Sequence, residues 1–299
     1  MKKTKTEEGT RKIIAIAGPT GSGKTALAKA VAEIFGGKII SVDSRQIYRG
    51  LDIGTAKDAT FPQEMIDIID PGQTFSLSDY QSQATEIIKN CFAENELPIL
   101  VGGTGLYLNS IIYGYEIPEL QKESLKIRAE LEKLTDANLF KKLQEIDLES
   151  AKKIDPRNNR RVIRALEYSL LNNKPFSSVQ IKKKPIFETL ILGIDVSRET
   201  LYAKVDARVE QMIKDGLVEE VRNLIKKYPT DLPALNTIGY KEIIEYLQNR
   251  STLSEAKEKI KFNTHAYIRK QDTWFRRDEN IKWIKNKAEA KNLIENFLK

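Results

Sequence analysis

Two of the residues most used for metal chemistry are almost missing from this chain: Cys91 and His265 are the single cysteine and histidine among 299 residues. One thiol, set in an apolar helical context, supports neither a disulfide framework nor a cysteine-based metal site, and it fits a reducing compartment. No apolar run approaches the length needed to span a bilayer, so no membrane partner is expected. Met1 to Lys12 is charged and lacks the apolar centre of a signal peptide, so the expected location is the cytoplasm. Internal repeats and low-complexity linkers are lacking too, which favours one interrupted core over independent domains. His265 falls in a helical stretch and reads as structural.

What is present is a chain that is 40% hydrophobic and 30% charged, enough to bury a sizeable core. Its net charge of +7 is unevenly spread: residues 141–184 hold twelve Lys or Arg against five Asp or Glu, a surplus of seven. A second basic cluster, Lys261, Arg269, Lys270, Arg276 and Arg277, is interleaved with Tyr267, Trp274 and Phe275. Basic residues among aromatics suit a phosphate backbone and unstacked bases, although a charge run alone more often marks a solvated helix face.

The most informative stretch runs from Ile13 to Thr25, an apolar strand that breaks into a glycine-rich turn and continues as a helix. Gly18, Gly23, Lys24 and Thr25 satisfy G-x-x-x-x-G-K-[ST], with Pro19, Thr20, Gly21 and Ser22 between them. In such a loop, backbone N–H groups converge on one concavity at a helix N-terminus, the lysine adds a point charge, and the Thr25 hydroxyl is offered to a divalent ion. A diphosphate or triphosphate is the expected ligand.

Further strands are expected at Lys38–Val42, Leu97–Val101 and Thr189–Asp195. A short one is expected within Phe61–Pro71 and an edge strand at Ile281–Ile284. Helices are expected over Lys24–Phe35 and from the Ser76 to Asp79 capping box to about Asn95. The alternation predicts an α/β fold, a P-loop NTPase-like core with a parallel sheet flanked by helices. Between them the pattern turns helical and basic, at Leu125–Leu134, Asn138–Ile146 and Arg160–Leu171. The predicted organisation is a first core part at 1–117, an inserted mainly helical domain at 118–187, and core completion with C-terminal helices at 188–299. Asp43 ends the second strand, beside the loop in a cleft, and is placed to act as a base. The third strand ends in Gly102-Gly103-Thr104-Gly105 where a metal carboxylate would be usual, and Asp70 is the substitute available.

Several blocks together resemble the bacterial tRNA dimethylallyltransferases: Gly18 to Thr25, Asp43 to Lys57 (DSRQIYRGLDIGTAK), Gly102 to Tyr107, Arg160 to Glu167, and Thr237 to Glu242. The second block is far more specific than the phosphate loop. The resemblance implies transfer of a five-carbon prenyl group from dimethylallyl diphosphate to the exocyclic amine of adenine 37, in the anticodon stem-loop of tRNA. It implies Asp43 as general base, Thr104 in the reaction channel, and Gly18 to Thr25 with Arg208 around the diphosphate, with Mg2+ at Thr25. It further implies Asp43, Ser44, Arg45 and Gln46 at the flipped base and its neighbours, with Arg128, Arg160, Arg161 and Arg164 as tRNA contacts. Gln271, Trp274 and Arg276 match a C-terminal helix motif. The chain departs from the family pattern at Gln63-Glu64, where many relatives carry two histidines, and at Asp58, where proline is usual. A bacterial monomer is expected. The readings left open are a P-loop small-molecule kinase using ATP and a non-catalytic RNA-binding module.

Overall fold

The computed structural model describes residues 11–115, 122–178 and 185–299. By its contacts the chain divides into two compact units, residues 1–112 with 185–299 and residues 113–184. The first unit begins with strand β1, Lys12–Ala17, in which Ile13 to Ala17 are inaccessible to solvent. A strand covered on both faces needs such an unbroken apolar run. Helix α1, Lys24–Phe35, stops where Gly36 turns left-handed and its N–H bonds Ala32 O. Strand β2, Gly37–Ser41, and helix α2, Leu77–Ala93, follow. The Ser76 hydroxyl accepts from Asp79 N and the Asp79 carboxylate from Ser76 N, the reciprocal cap that the sequence signals. Strand β3, Leu97–Gly102, and helix α3, Gly105–Ile112, complete this half.

The second unit contains helices α4, Lys122–Leu131, α5, Asp136–Ile146, α6, Leu148–Ala151, and α7, Asn159–Asn172. Leu131, Leu139, Leu143, Val162 and Leu166 form its core. Within it Glu167 is fully buried, accepting from the Ser124 hydroxyl and pairing with Arg164 at 3.2 Å.

The chain then returns to the first unit as strand β4, Glu188–Ile194, and helices α8, Arg198–Lys214, α9, Leu217–Lys227, α10, Tyr240–Leu247, and α11, Leu253–Phe275. Strand β5, Ile281–Ile284, and helix α12, Lys287–Leu298, end it.

The five strands form one parallel sheet in the order β2-β3-β1-β4-β5, with Ile14 level with both Ile99 and Leu190. This is the P-loop NTPase-like core, with β5 on the expected edge. From β1 the chain runs out to β2, comes back to β3, and later crosses to β4, so the winding direction reverses between β3 and β1. A ligand crevice belongs outside the carboxyl ends of strands at such a reversal, where the loops after Ala17 and Gly102 lie.

Two details differ from the sequence expectation. Strand β3 lies between β1 and β2, so Asp43 reaches the phosphate loop across the Gly102–Thr104 segment and not from a neighbouring strand. Phe61–Pro71 forms no strand but only isolated bridges at Glu64 and Ile69, because Met65 and Asp67 adopt left-handed φ values of 64° and 54°.

The Ser76 cap gives a test of the local reading. Ser76→Ala should lower stability by about 1 kcal/mol, measured by urea denaturation, while leaving pyrophosphate affinity unaltered.

Candidate active site

The loop after β1 owes its shape to backbone freedom. Gly23, the N-cap of α1, sits at φ 92°, and a β-carbon there would meet no neighbour, so the requirement is conformational rather than spatial. The Ser22 hydroxyl is buried with no hydrogen-bond partner, an orphan that a phosphate oxygen placed in the loop would satisfy. Lys24 Nζ donates to Pro19 O at 2.7 Å, and burial pulls its pKa down to about 8. The negative charge of Asp43 opposes that shift, and the positive charge of Arg208 adds to it. Arg208, on α8, faces open space in the cleft and keeps accessible surface. The protein mass around it still desolvates the guanidinium and lowers its pKa.

Asp43 follows the end of β2, and its Oδ1 accepts from Arg45 N at 2.8 Å, which turns the chain. The segment is sewn to the loop after β3: Thr104 N donates to Val42 O at 3.3 Å, and Ser44 N donates to the Thr104 hydroxyl at 3.3 Å. Gln271, reaching in from α11, ties both glycine loops together. Its Oε1 accepts from Thr20 N at 2.9 Å, and its Nε2 donates to Gly103 O at 2.9 Å. Gly103 is required by space, since a β-carbon there would come within 2.2 Å of Gln271 Nε2.

Two hollows meet at this point. One, of about 320 Å³, is lined by the phosphate loop together with Ser41, Gln46, Gly102 and Gly103. The other, of about 340 Å³, is lined by Ser44 and Arg45 on one side and by an apolar wall from α8, α11 and the turn before α10. Thr20, Asp43, Thr55, Ala56 and Arg208 line both. The structure thus gathers Thr20, Gly21, Gly23 to Thr25, Asp43 to Gln46 and Arg208 around one cleft, while Gly18, Pro19 and Ser22 are buried and line neither hollow, and Thr104 is half-buried one hydrogen bond away.

The other sequence candidates are placed differently. Gln46 is engaged internally, accepting from the Ser41 hydroxyl at 3.0 Å and donating to Thr55 O at 3.1 Å. Arg45 donates to Pro233 O at 3.1 Å. Within the second unit, Arg160 and Arg161 are exposed, Arg128 pairs with Glu132 at 3.5 Å, and Arg164 is committed to Glu167. Asp70 bonds Arg49 and lines neither hollow. His265 lies 2.8 Å from Asp206 and stacks on Tyr202, a packing role. Arg276 pairs with Asp195 and Asp272 and covers the Trp283 ring. Gln63 lines the phosphate-loop hollow, donating to Asp58 O at 3.0 Å. Among the described residues no group of three or more His, Cys, Asp or Glu gathers to hold a metal ion, and no helix is long and apolar enough to cross a membrane.

Sequence reasoning missed several lining residues. Tyr267 reaches the second hollow from α11. Tyr267 keeps 38% of its surface, yet the protein around the phenol desolvates it and, with the charge of Asp43, pushes it up to about 12, partly offset by hydrogen bonding with Thr104 and Gln271, so it stays a donor at neutral pH. Thr55 and Ala56 are held by an unexpected strut. Glu220 accepts from Ile53 N at 2.8 Å, from Gly54 N at 3.3 Å and from the Tyr240 hydroxyl at 2.6 Å. Lys57, almost wholly buried, knots the same turn to Asp52, Asp67 and Tyr48 O. The spacing of Val205, Val209 and Met212 around Arg208 was the available signal for the apolar wall, a stripe on one helix face.

Comparison with known proteins adds a separate line. The family model described as IPP transferase matches residues 46–278. A protein named tRNA dimethylallyltransferase from Roseiflexus sp. (strain RS-1) is 45% identical over 279 residues, 90% of this chain and 91% of that one. One of the same name from Thermoanaerobacter sp. (strain X514) is 42% identical over 306 aligned positions, 96% of this chain and 97% of that one. The crystal structure of a full-length tRNA isopentenylpyrophosphate transferase from Bacillus halodurans superposes with a TM-score of 0.73 at 36% identity, covering 96% and 97% of the two chains.

The depressed lysine generates a pH dependence. Lys24 is an ammonium below about pH 8 and loses its proton above it, and an anion in the loop favours the charged form. Affinity for inorganic pyrophosphate, measured by calorimetry, should be full below that point and weaken as the pH rises through it. Lys24→Arg, charged throughout, should lack this inflection while keeping that of the ligand itself.

Proposed function

The chain belongs to the IPP transferase family, and from that membership we propose that it works as a tRNA dimethylallyltransferase, moving the prenyl group of dimethylallyl diphosphate to N6 of adenosine 37 in tRNA. The observation that carries the reading is the junction of the two hollows at Asp43. An anion-binding cleft opens there directly into a space with an apolar wall, and an allylic diphosphate has that same division between head and tail.

The reaction breaks the bond between C1 and the diphosphate oxygen, and the electron pair leaves with the diphosphate. The loop N–H groups, Lys24 and Arg208 face the negative charge as it develops, and interactions that strengthen as charge appears lower the barrier. The adenine amine forms the new C–N bond with a lone pair that is delocalised into its ring, so it is a weak nucleophile until its proton is removed. Asp43 accepts that proton, with its carboxylate aimed by Arg45 N. Thr104, anchored through Ser44 N, and the Tyr267 phenol beside it hold the acceptor side of the junction. Ser44 and Arg45 receive the flipped base and its neighbours, and a base in an unpaired anticodon loop costs little to unstack.

A magnesium ion fits this donor set. Mg2+ keeps most of its water and takes few protein ligands beside substrate phosphates, so the Thr25 hydroxyl with the diphosphate oxygens suffices without a carboxylate cluster. When bound, the ion neutralises charge on the departing diphosphate. In the second unit, the exposed Arg160 and Arg161 suit tRNA phosphates, with Arg128 beside its own Glu132. The protein acts as a cytoplasmic monomer.

The test is transfer of label from dimethylallyl diphosphate to unmodified tRNA, with ATP replacing the donor in a parallel tube. Label should enter tRNA and vanish when adenine 37 is changed to guanine. ATP consumption without prenylation would instead favour a small-molecule kinase. Asp43→Asn should cut kcat by about 10²–10⁴-fold while leaving the dissociation constant of the diphosphate within a few-fold. An unchanged kcat would remove Asp43 from the mechanism.

A further inference from the structure

Beside the apolar wall lies a third hollow of about 320 Å³. Only three residues line both it and the hollow in front of Asp43: Ala56, Arg208 and Met212. Ala56 is fixed in a left-handed turn at φ 53° between the Glu220 strut and the Lys57 knot. Arg208 faces the phosphate loop. Met212 is therefore the only apolar, rotatable side chain in the partition.

Resting on the donor assignment made above, we propose that Met212 is the stop that limits the prenyl donor to five carbons. The geometry sets where the tail runs. Val205, Val209 and Met212 share the face of α8 that carries Arg208, so a tail attached to a diphosphate held by Arg208 passes along that face. Four residues of helix, about 6 Å at roughly 1.5 Å each, separate Arg208 from Met212, which is about the reach of a single isoprene unit.

Val209 and Ile260 back this wall from the core and are 3% and 2% exposed, so they have little room to yield. Met212 is half-buried, packed against that core without belonging to it, and is unbranched. Behind it the third hollow offers Ile53, but also the charged Asp52 and Asp215. A ten-carbon tail is thus refused twice, first by the thioether and then by the cost of pressing hydrocarbon on charged groups. The transfer step is unaltered by tail length: C1 loses the diphosphate oxygen with its electron pair, N6 bonds C1, and Asp43 takes the proton.

The experiment measures kcat/KM for dimethylallyl and geranyl diphosphates as donors to unmodified tRNA, with the modified nucleoside identified by mass spectrometry. The wild type should transfer five carbons and give no more than a trace of the ten-carbon product. Met212→Ala should narrow the ratio between the two donors by about tenfold or more, with a ten-carbon nucleoside appearing and dimethylallyl transfer reduced several-fold. Met212→Phe, which thickens the partition, should raise KM for dimethylallyl diphosphate about tenfold without moving the dissociation constant of inorganic pyrophosphate. A folded Met212→Ala with an unchanged donor ratio overturns the proposal, as does a wild type that already uses geranyl diphosphate well. Should the alanine variant not fold, Met212→Phe decides, and an unchanged KM in that variant is equally fatal. A wild type that labels tRNA with neither donor refutes the donor assignment itself, which is a different result.

Discussion

The side-chain amide of Gln271 is the contact on which the site depends most. It comes from a helix at the far end of the chain and is almost wholly buried, and it holds the Thr20 N–H with one end and the Gly103 carbonyl with the other. These two groups belong to the loops on either side of the reversal in the sheet. Neither loop can form a ladder there, so without the amide the Gly103 carbonyl would be buried and unpaired, at a cost of about 1–3 kcal/mol, and the Thr20 N–H would be left to the cleft. The absence of a side chain at Gly103 is what lets the amide in. One hydrogen-bonded plane thus sets the separation of the anion-binding loop from the segment that carries Thr104, and through Ser44 N it sets the position of Asp43 as well.

That geometry puts three charges in one poorly solvated space. Lys24 is depressed by burial and by Arg208, and is pulled back by Asp43. Across the joined hollows Lys24, Arg45 and Arg208 face Asp43 and Asp58, a surplus of one positive charge to which the loop N–H groups add, and this favours a multiply charged anion over a neutral ligand. The low solvation that depresses the lysine also strengthens its attraction to a bound phosphate, because the same lack of water screens neither effect. The field weakens toward the apolar wall, where Val205, Val209 and Ile260 offer no polar atom. The site therefore reads an amphiphile by its two ends.

The legibility of this arrangement in the sequence followed the range of the interactions. The phosphate loop, the Ser76 cap and the first four runs of strand residues are local patterns, and their elements lie where spacing and composition place them. The reciprocal Ser76 and Asp79 bonds need only residues three apart. Phe61–Pro71 misled because its apolar content is strand-like while Met65 and Asp67 are left-handed, and Asp67 is tied to Lys57, a partner that no local pattern reveals. The position of β3 between β1 and β2 is a property of the whole sheet. Asp43 was legible as a strand-end carboxylate in a specific block, whereas Tyr267, Glu220 and Met212 enter the site only through packing of α8 to α11 against the turn at 51–57.

That turn shows why the two classes of residue cannot be separated. Thr55 and Ala56 belong to the most distinctive block of the sequence, yet nothing in the block holds them in place from the α9 side. Glu220 does so, accepting from two successive N–H groups and from Tyr240. Burial and the adjacent carboxylate drive the Tyr240 phenol well above its ordinary pKa, so it remains a hydrogen-bond donor at any pH the protein meets. A half-buried carboxylate with three donors is a rigid anchor. The turn it fixes forms part of the wall between the hollow at Asp43 and the one behind Met212, and the left-handed alanine at its apex survives because the anchor and the Lys57 knot over-determine it. The specificity of the cleft therefore rests on a helix that touches no substrate.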